Sequence, residues 1–281
     1  MGSQMLADAV RFAVPRGVRN WLRAPSKSAA WLWDSAQFSM GVTRRLQLAP
    51  DWTLLCHPHA YKVVYRDQVV DPDQSQEFQG FLSSCNSSMV LLDIGAHFGI
   101  FSLAAAHFGG RAVAVDPSPI ATRMIHRQAA LNGCADRIRI LQAAVSETDG
   151  VTGLLDSGVF SDGYFKVAKD RAKRELTPTP SFTVDSLASQ FGDPSHIKID
   201  VEGHEAAVLR SAGATLKRCS PTLFLELHNE MIAADGGDPN AALDLLEQFG
   251  FTTYGFNGEE IKRESLLGKS IVRLVARRTG R

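Results

Sequence analysis

MVLLDIGAHFGIF, residues 89–101, is the stretch on which the fold turns. MVLLDI (89–94) is an apolar run ending at a glycine turn, the signature of a strand covered on both faces, and such strands belong in parallel sheets. Gly95 and Gly99 frame the turn, and IFSLAAAHFG continues as a helix. Glycine has no Cβ, so the backbone can bend sharply and approach a ligand closely, while the helix start offers free N–H groups. An adenosine-like ligand is expected in this bend. A phosphate would also suit a helix N-terminus, which makes a nicotinamide or flavin dinucleotide the rival. Its G-x-G-x-x-G fingerprint is broken by His97, leaving the wider spacing D-x-G-x-x-x-G.

Outward from this point strands and helices alternate. RAVAVD (111–116) reads as a second strand, PIATRMIHRQAALNG as a helix closed by Gly133, and IRILQAAV (138–145) as a third strand. HIKID (196–200), TLFLELH (222–228), FTTYGF (251–256) and SIVRLVARR (270–278) complete seven, with EAAVLRSAGATLK and NAALDLLEQFG as helices between them. The alternation predicts an α/β fold, a doubly wound and mostly parallel seven-stranded sheet. The last two strands lack a long helical crossover, which predicts an antiparallel pair at the sheet edge. Asp116 closes the second strand, where a carboxylate can accept hydrogen bonds from both hydroxyls of a ribose. The cofactor-binding set is Asp93, Gly95, Ala96, His97, Gly99, Asp116 and Pro117, joined by Ala143 and Ala144 beside Gln142 at the end of the third strand and by Asp200 at the end of HIKID. The competing reading makes the two acids solvated strand ends and the glycines mere turn residues.

Residues 1–75 form an N-terminal extension and 76–281 the main domain. Within the extension, residues 4–23 place Leu6, Val10, Val14, Val18 and Trp21 near helical spacing among arginines, interrupted by Pro15. Trp31, Leu32 and Trp33 form a second apolar cluster, suited to packing or to a homodimer contact, and residues 52–70 read as one or two strands. Residues 146–182 are too long for an ordinary connection and rich in Gly, Asp and Pro, as expected of a hairpin insertion or a lid. Thirty basic residues balance thirty acidic ones, which argues against a nucleic-acid partner. Cys56, Cys85, Cys134 and Cys219 have no metal or disulfide spacing and read as free thiols. No apolar run approaches the ~18 residues of a membrane span, so a cytoplasmic location is expected.

The second half holds the ionisable groups. IKIDVEGHEAAVL (197–209) carries Asp200, Glu202, His204 and Glu205, and FLELH ends with Glu226 and His228. Adjacent strand ends line the ligand crevice of a doubly wound sheet, and so many polar groups there require water, substrate or metal. Glu205, in the first turn of a helix, suits the helix dipole. Asp200, Glu226 and His228 could hold Mg²⁺ or a similar ion, although the sequence alone assigns no metal.

The D-x-G-x-x-x-G loop resembles motif I of class I methyltransferases. DIGAHFGIFSL, FTVDSL, IKIDVEGHEAAVLRSAG and PTLFLELH, in this order and spacing over roughly residues 80–255, resemble the FkbM family of methyltransferases. The resemblance implies a Rossmann-like fold, S-adenosylmethionine as methyl donor and O-methylation of a sugar or natural-product hydroxyl. Asp116 stands where many class I enzymes have Glu. An alcohol needs its proton removed as the new bond forms, and a positioned base typically adds ~10²- to 10⁴-fold. The catalytic set is His228, Asp200, Glu202 and Glu226, with His228 or Asp200 as base and His228 favoured by its ordinary pKa. N-methylation on the same fold, and an NAD- or nucleoside-binding module without methyl transfer, are the alternatives.

Overall fold

Apolar residues on both faces of successive strands force a sheet between two helical layers. The computed structural model describes residues 25–156, 165–167 and 176–278. The amphipathic stretch 4–23 and much of the 146–182 insertion lie outside the described residues. Strand β3 (Val90–Ile94) pairs in parallel with β4 (Arg111–Asp116) and β10 (His196–Ile199), and β5 (Ile138–Gln142) and β11 (Thr222–Leu227) extend the sheet on either side. The order is β12-β13-β11-β10-β3-β4-β5, with β12 at Phe251–Tyr254 and β13 at Val272–Arg278. The expected antiparallel pair stands at the edge, but the reversed strand is β13, inserted between β11 and β12. A helical crossover from β11 carries the chain to a parallel β12, and the return through residues 255–271, which holds only the one-turn helix Arg263–Leu267, brings β13 back antiparallel to both neighbours.

Alternate residues of each strand serve opposite layers. Leu91, Ala112, Ala114 and Phe224 face α2 (Pro72–Leu82), α3 (Ile100–His107) and α4 (Pro119–Leu131), in a core with Phe78, Phe81, Leu103 and Met124. Leu92, Val113, Val115, Leu223 and Leu225 face α5 (Val184–Phe191), α6 (Glu205–Arg210), α7 (Gly213–Cys219) and α9 (Asn240–Gln248), with α8 (Asn229–Ala234) preceding α9 in sequence. Each leucine, valine, phenylalanine or methionine among them contributes roughly 1.5–3 kcal/mol on burial. The EAAVLRSAGATLK segment is two helices, because Asp185 accepts hydrogen bonds from the Ala214 and Thr215 N–H groups and restarts the helix there.

Helix α1 (Pro25–Ser39) precedes a hairpin of β1 (Arg44–Ala49) and β2 (Trp52–Cys56), which is fixed to the end of α4 by Asn132 bonding both the N–H and the carbonyl of Leu55 at 2.9 Å. Within α1, Trp31 packs on the rings of His57 and His59, whereas Leu32 and Trp33 are exposed. The strand expectation for 52–70 holds only to Cys56, since residues 58–70 are helical turns. Pro58 occupies a first-turn position capped by His57, and Tyr65 is buried with its hydroxyl donating to the Phe98 carbonyl at 2.6 Å. Packing beneath the glycine bend overrides the β-branched composition.

The third expected strand breaks at Ala143. Beyond it, β6 (Ala144–Val145) joins a second sheet, ordered β6-β9-β7-β8, with β7 (Gly150–Asp156), β8 (Phe165–Val167) and β9 (Leu176–Phe182). The long insertion is thus built around the antiparallel pair β7–β9. All four cysteines are free. Among the described residues no helix is long and apolar enough to cross a membrane.

Candidate active site

The bend after β3 is shaped by what glycine lacks. Gly95 has φ +76°, and a Cβ there would stand 1.7 Å from the Asp200 carbonyl oxygen, a clash with backbone that no rotamer relieves. Gly99, also at φ +76°, precedes α3, and a Cβ there would meet Ile125 at 2.9 Å. The Gly95 and Ala96 N–H groups both donate to the Val115 carbonyl, locking the bend to β4. His97 adopts a left-handed φ of 49°. Its backbone N–H donates to Asp116 Oδ2 at 2.8 Å, and the Ser118 N–H donates to Asp116 Oδ1 at 2.8 Å. Asp93 accepts at 2.6 Å from the Ser102 hydroxyl and at 3.1 Å from its N–H, tying β3 to α3. Burial raises both carboxyl groups, Asp93 to about 6 and Asp116 to about 7, against the lowering by these hydrogen bonds.

A cavity of about 330 Å³ opens at the carboxyl ends of the strands. All ten expected cofactor residues line it: Asp93, Gly95, Ala96, His97, Gly99, Asp116, Pro117, Ala143, Ala144 and Asp200. Gln142 does not. Glu202 and Glu226 also line it, while His228 stands behind them, 3% exposed.

The far end of the cavity is a network of charges. His228 Nδ1 lies 2.8 Å from Glu205 Oε1, and Nε2 lies 3.5 Å from Glu202, 3.5 Å from Glu226 and 3.8 Å from Asp200. Glu205 is fully buried and also accepts the Gly203 N–H at 3.0 Å, so it positions the imidazole besides standing in the first turn of a helix. Burial disfavours the imidazolium, but Glu205, Glu226, Asp200 and Glu202 outweigh it and push His228 up to about 10. The surrounding carboxylates thus favour the protonated form of His228, which weighs against its use as the base. Asp200 is raised, by burial and by Glu226. Glu226 is lowered, because His228, Lys198 and Arg273 overcome its burial.

Three members of this network escape sequence reading. Lys198, in the middle of β10 and 2% exposed, pairs with Glu77 of α2 at 2.8 Å and lies 3.9 Å from both Asp200 and Glu226. Arg273 of β13 stands directly across from Glu226 and grips it at 2.7 and 3.0 Å, reaching Glu77 at 3.3 Å. The available signal was a cation inside a strand buried on both faces, which must find an acid.

A profile of the Methyltransferase FkbM domain matches residues 93–253. The chain belongs to the FkbM methyltransferase family. The site residues from Asp93 through His228 fall inside the matched segment, whereas Glu77 and Arg273 come from outside it. The chain is also 28% identical, over 144 residues, to a ribosomal protein L11 methyltransferase of Pelotomaculum thermopropionicum, a match covering 46% of this chain and 45% of that protein. The chain thus spans about half the length of that curated relative. Among solved structures, the FkbM methyltransferase of Methylobacillus flagellatus KT is 15% identical with a TM-score of 0.45, covering 68% of this chain and 44% of that one. Ribosomal protein L11 methylase of Lactobacillus delbrueckii subsp. bulgaricus is 14% identical with a TM-score of 0.46, covering 84% of this chain and 100% of that one. Neither superposition speaks to the acceptor.

Proposed function

We propose that this FkbM protein transfers a methyl group from S-adenosylmethionine to a hydroxyl oxygen of a sugar or natural-product small molecule. The observation that carries the reading is that one cavity joins a glycine bend faced by Asp116 to a carboxylate-lined end at Asp200 and Glu202. In this reading the ribose hydroxyls donate to Asp116, whose oxygens each keep acceptor capacity beyond the loop N–H groups. The bend has His97 where a dinucleotide loop has its second glycine.

Methyl transfer is an in-line displacement, so the residues act first by aligning oxygen, carbon and sulfur. Such positioning is worth effective molarities of ~10⁵ to 10⁸ M. Asp200 and Glu202, partly open to the cavity, are the groups placed to receive the hydroxyl proton, with the buried His228 behind them. The same carboxylates argue against an amine acceptor: they favour the ammonium form, which has no lone pair to attack the methyl carbon. Gln68, Gln74 and Arg273 also line the cavity and offer donors suited to a polyhydroxylated acceptor. Incubation with isotopically labelled donor over panels of glycans and small alcohols, followed by mass analysis, tests the reading. The expected product carries the label on oxygen; label on nitrogen, or transfer to no hydroxyl, contradicts it.

A further inference from the structure

The orientation of His228 is set by a partner that serves no purpose at the donor end of the cavity. Its Nδ1 faces Glu205 at 2.8 Å, and Glu205, fully buried at the start of α6, is itself held by the Gly203 N–H. That arrangement turns Nε2 toward Asp200, Glu202 and Glu226, yet the nearest of their oxygens is 3.5 Å away, beyond a good hydrogen bond. A carboxylate holding one imidazole nitrogen so that the other projects among further carboxylates is the usual second layer of a metal site.

We infer that Asp200, Glu226 and His228 bind one divalent cation of the Mn²⁺ or Mg²⁺ class. One ligand atom from each lies within 4.8 Å of the others. Ligands held ~2.0–2.2 Å from a common ion stand roughly 3–4 Å apart, close to the observed spacing, and Glu226 can share its oxygens between the ion and Arg273 because each has two lone pairs. Charge points the same way. Glu77, Asp200, Glu202, Glu205 and Glu226 are gathered around two permanent cations, Lys198 and Arg273. A divalent ion offsets much of that excess of negative charge. Two carboxylates and one imidazole form a hard, mixed oxygen and nitrogen set, and Asp200, a third exposed, keeps one side of the ion open to the cavity.

The role of the ion rests on the O-methylation reading: it acidifies an acceptor hydroxyl entering from the open side. The hydroxyl proton passes to Glu202, the carboxylate outside the ligand set. An oxygen lone pair forms the bond to the methyl carbon as the carbon–sulfur bond breaks, its electron pair neutralising the sulfonium to a thioether. Glu205 is a positioning residue that acts through His228.

The test titrates Mn²⁺ into chelator-stripped full-length protein without donor or acceptor, by calorimetry and pulsed electron paramagnetic resonance. One ion is expected, with nitrogen coupling from the imidazole. Asp200→Asn and Glu226→Gln should abolish tight binding, His228→Asn should remove the nitrogen coupling, and Glu205→Gln should weaken affinity by about 10- to 100-fold. Wild-type protein that binds no Mn²⁺, or binds it without nitrogen coupling, overturns the site regardless of how the variants fold. Hydroxyl methylation that persists in EDTA, with no Mn²⁺ bound, removes the ion and leaves the function standing. Mn²⁺ bound as expected without methylation of any hydroxyl removes the function and leaves the site.

Discussion

At the β3 end of the cavity the backbone does the shaping, and at the β10–β11 end side-chain charge does. Gly95, Ala96 and His97 present main-chain groups fixed by the Val115 carbonyl and Asp116. Lys198, Glu77, Glu226, Arg273 and His228 instead form a web of close charges in which each cation serves more than one acid. The first construction depends on sterics and tolerates few residue types. The second depends on charge balance, so losing one cation strands several acids.

The difference can be broken from the charged end first. Lys198→Met removes a cation from a fully buried pair and should cost about 3–5 kcal/mol, read as a lower denaturant midpoint. A loss under about 1 kcal/mol would mean that the acids do not need it. At the backbone end, Gly95→Ala combines a left-handed penalty of roughly 1–2 kcal/mol with overpacking of roughly 1–3 kcal/mol against the Asp200 carbonyl. Gly99→Ala carries the same left-handed penalty but meets side-chain carbons of Ile125 at 2.9 and 3.1 Å in place of a backbone oxygen at 1.7 Å, so it should cost less. Equal losses in the two variants would show that the close approach at Gly95 is not what matters.

The smallest effect is one of pH. Asp116 and Asp93 are raised from 3.8 to about 7 and about 6, so the stability they contribute is fully present below pH ~4 and lost as pH rises through 6 to 7. A ribose donating to Asp116 needs the carboxylate and has the opposite dependence. Affinity for S-adenosylhomocysteine should therefore weaken below pH 7, approaching tenfold per pH unit, while the unliganded protein gains from these two groups. Affinity unchanged between pH 8 and 6 would separate Asp116 from the donor.

The backbone end was readable because its chemistry is written locally: Gly95, Gly99 and Asp116 have meaning through spacing alone. The charged end was half readable. Asp200, Glu202, Glu226 and His228 stand at strand ends, where polar groups advertise themselves, but Glu77 reads as a surface helix residue and Arg273 as an edge-strand cation. Only the insertion of β13 beside β11 brings Arg273 across from Glu226, and strand order is not encoded within either strand. Residues 58–70 misled for a related reason: their valines favour strands in isolation, and burial of Tyr65 decides otherwise.

The central claim is that the bend after β3 holds an adenosyl group as part of a methyl donor. Thermal unfolding of the full chain with S-adenosylhomocysteine and, separately, with NAD tests it most directly, because a ligand that binds only the native state adds about 2.7 kcal/mol at a hundredfold excess over Kd. A clear rise in Tm with S-adenosylhomocysteine and none with NAD is the predicted result; stabilisation by NAD alone, or by neither, would contradict it.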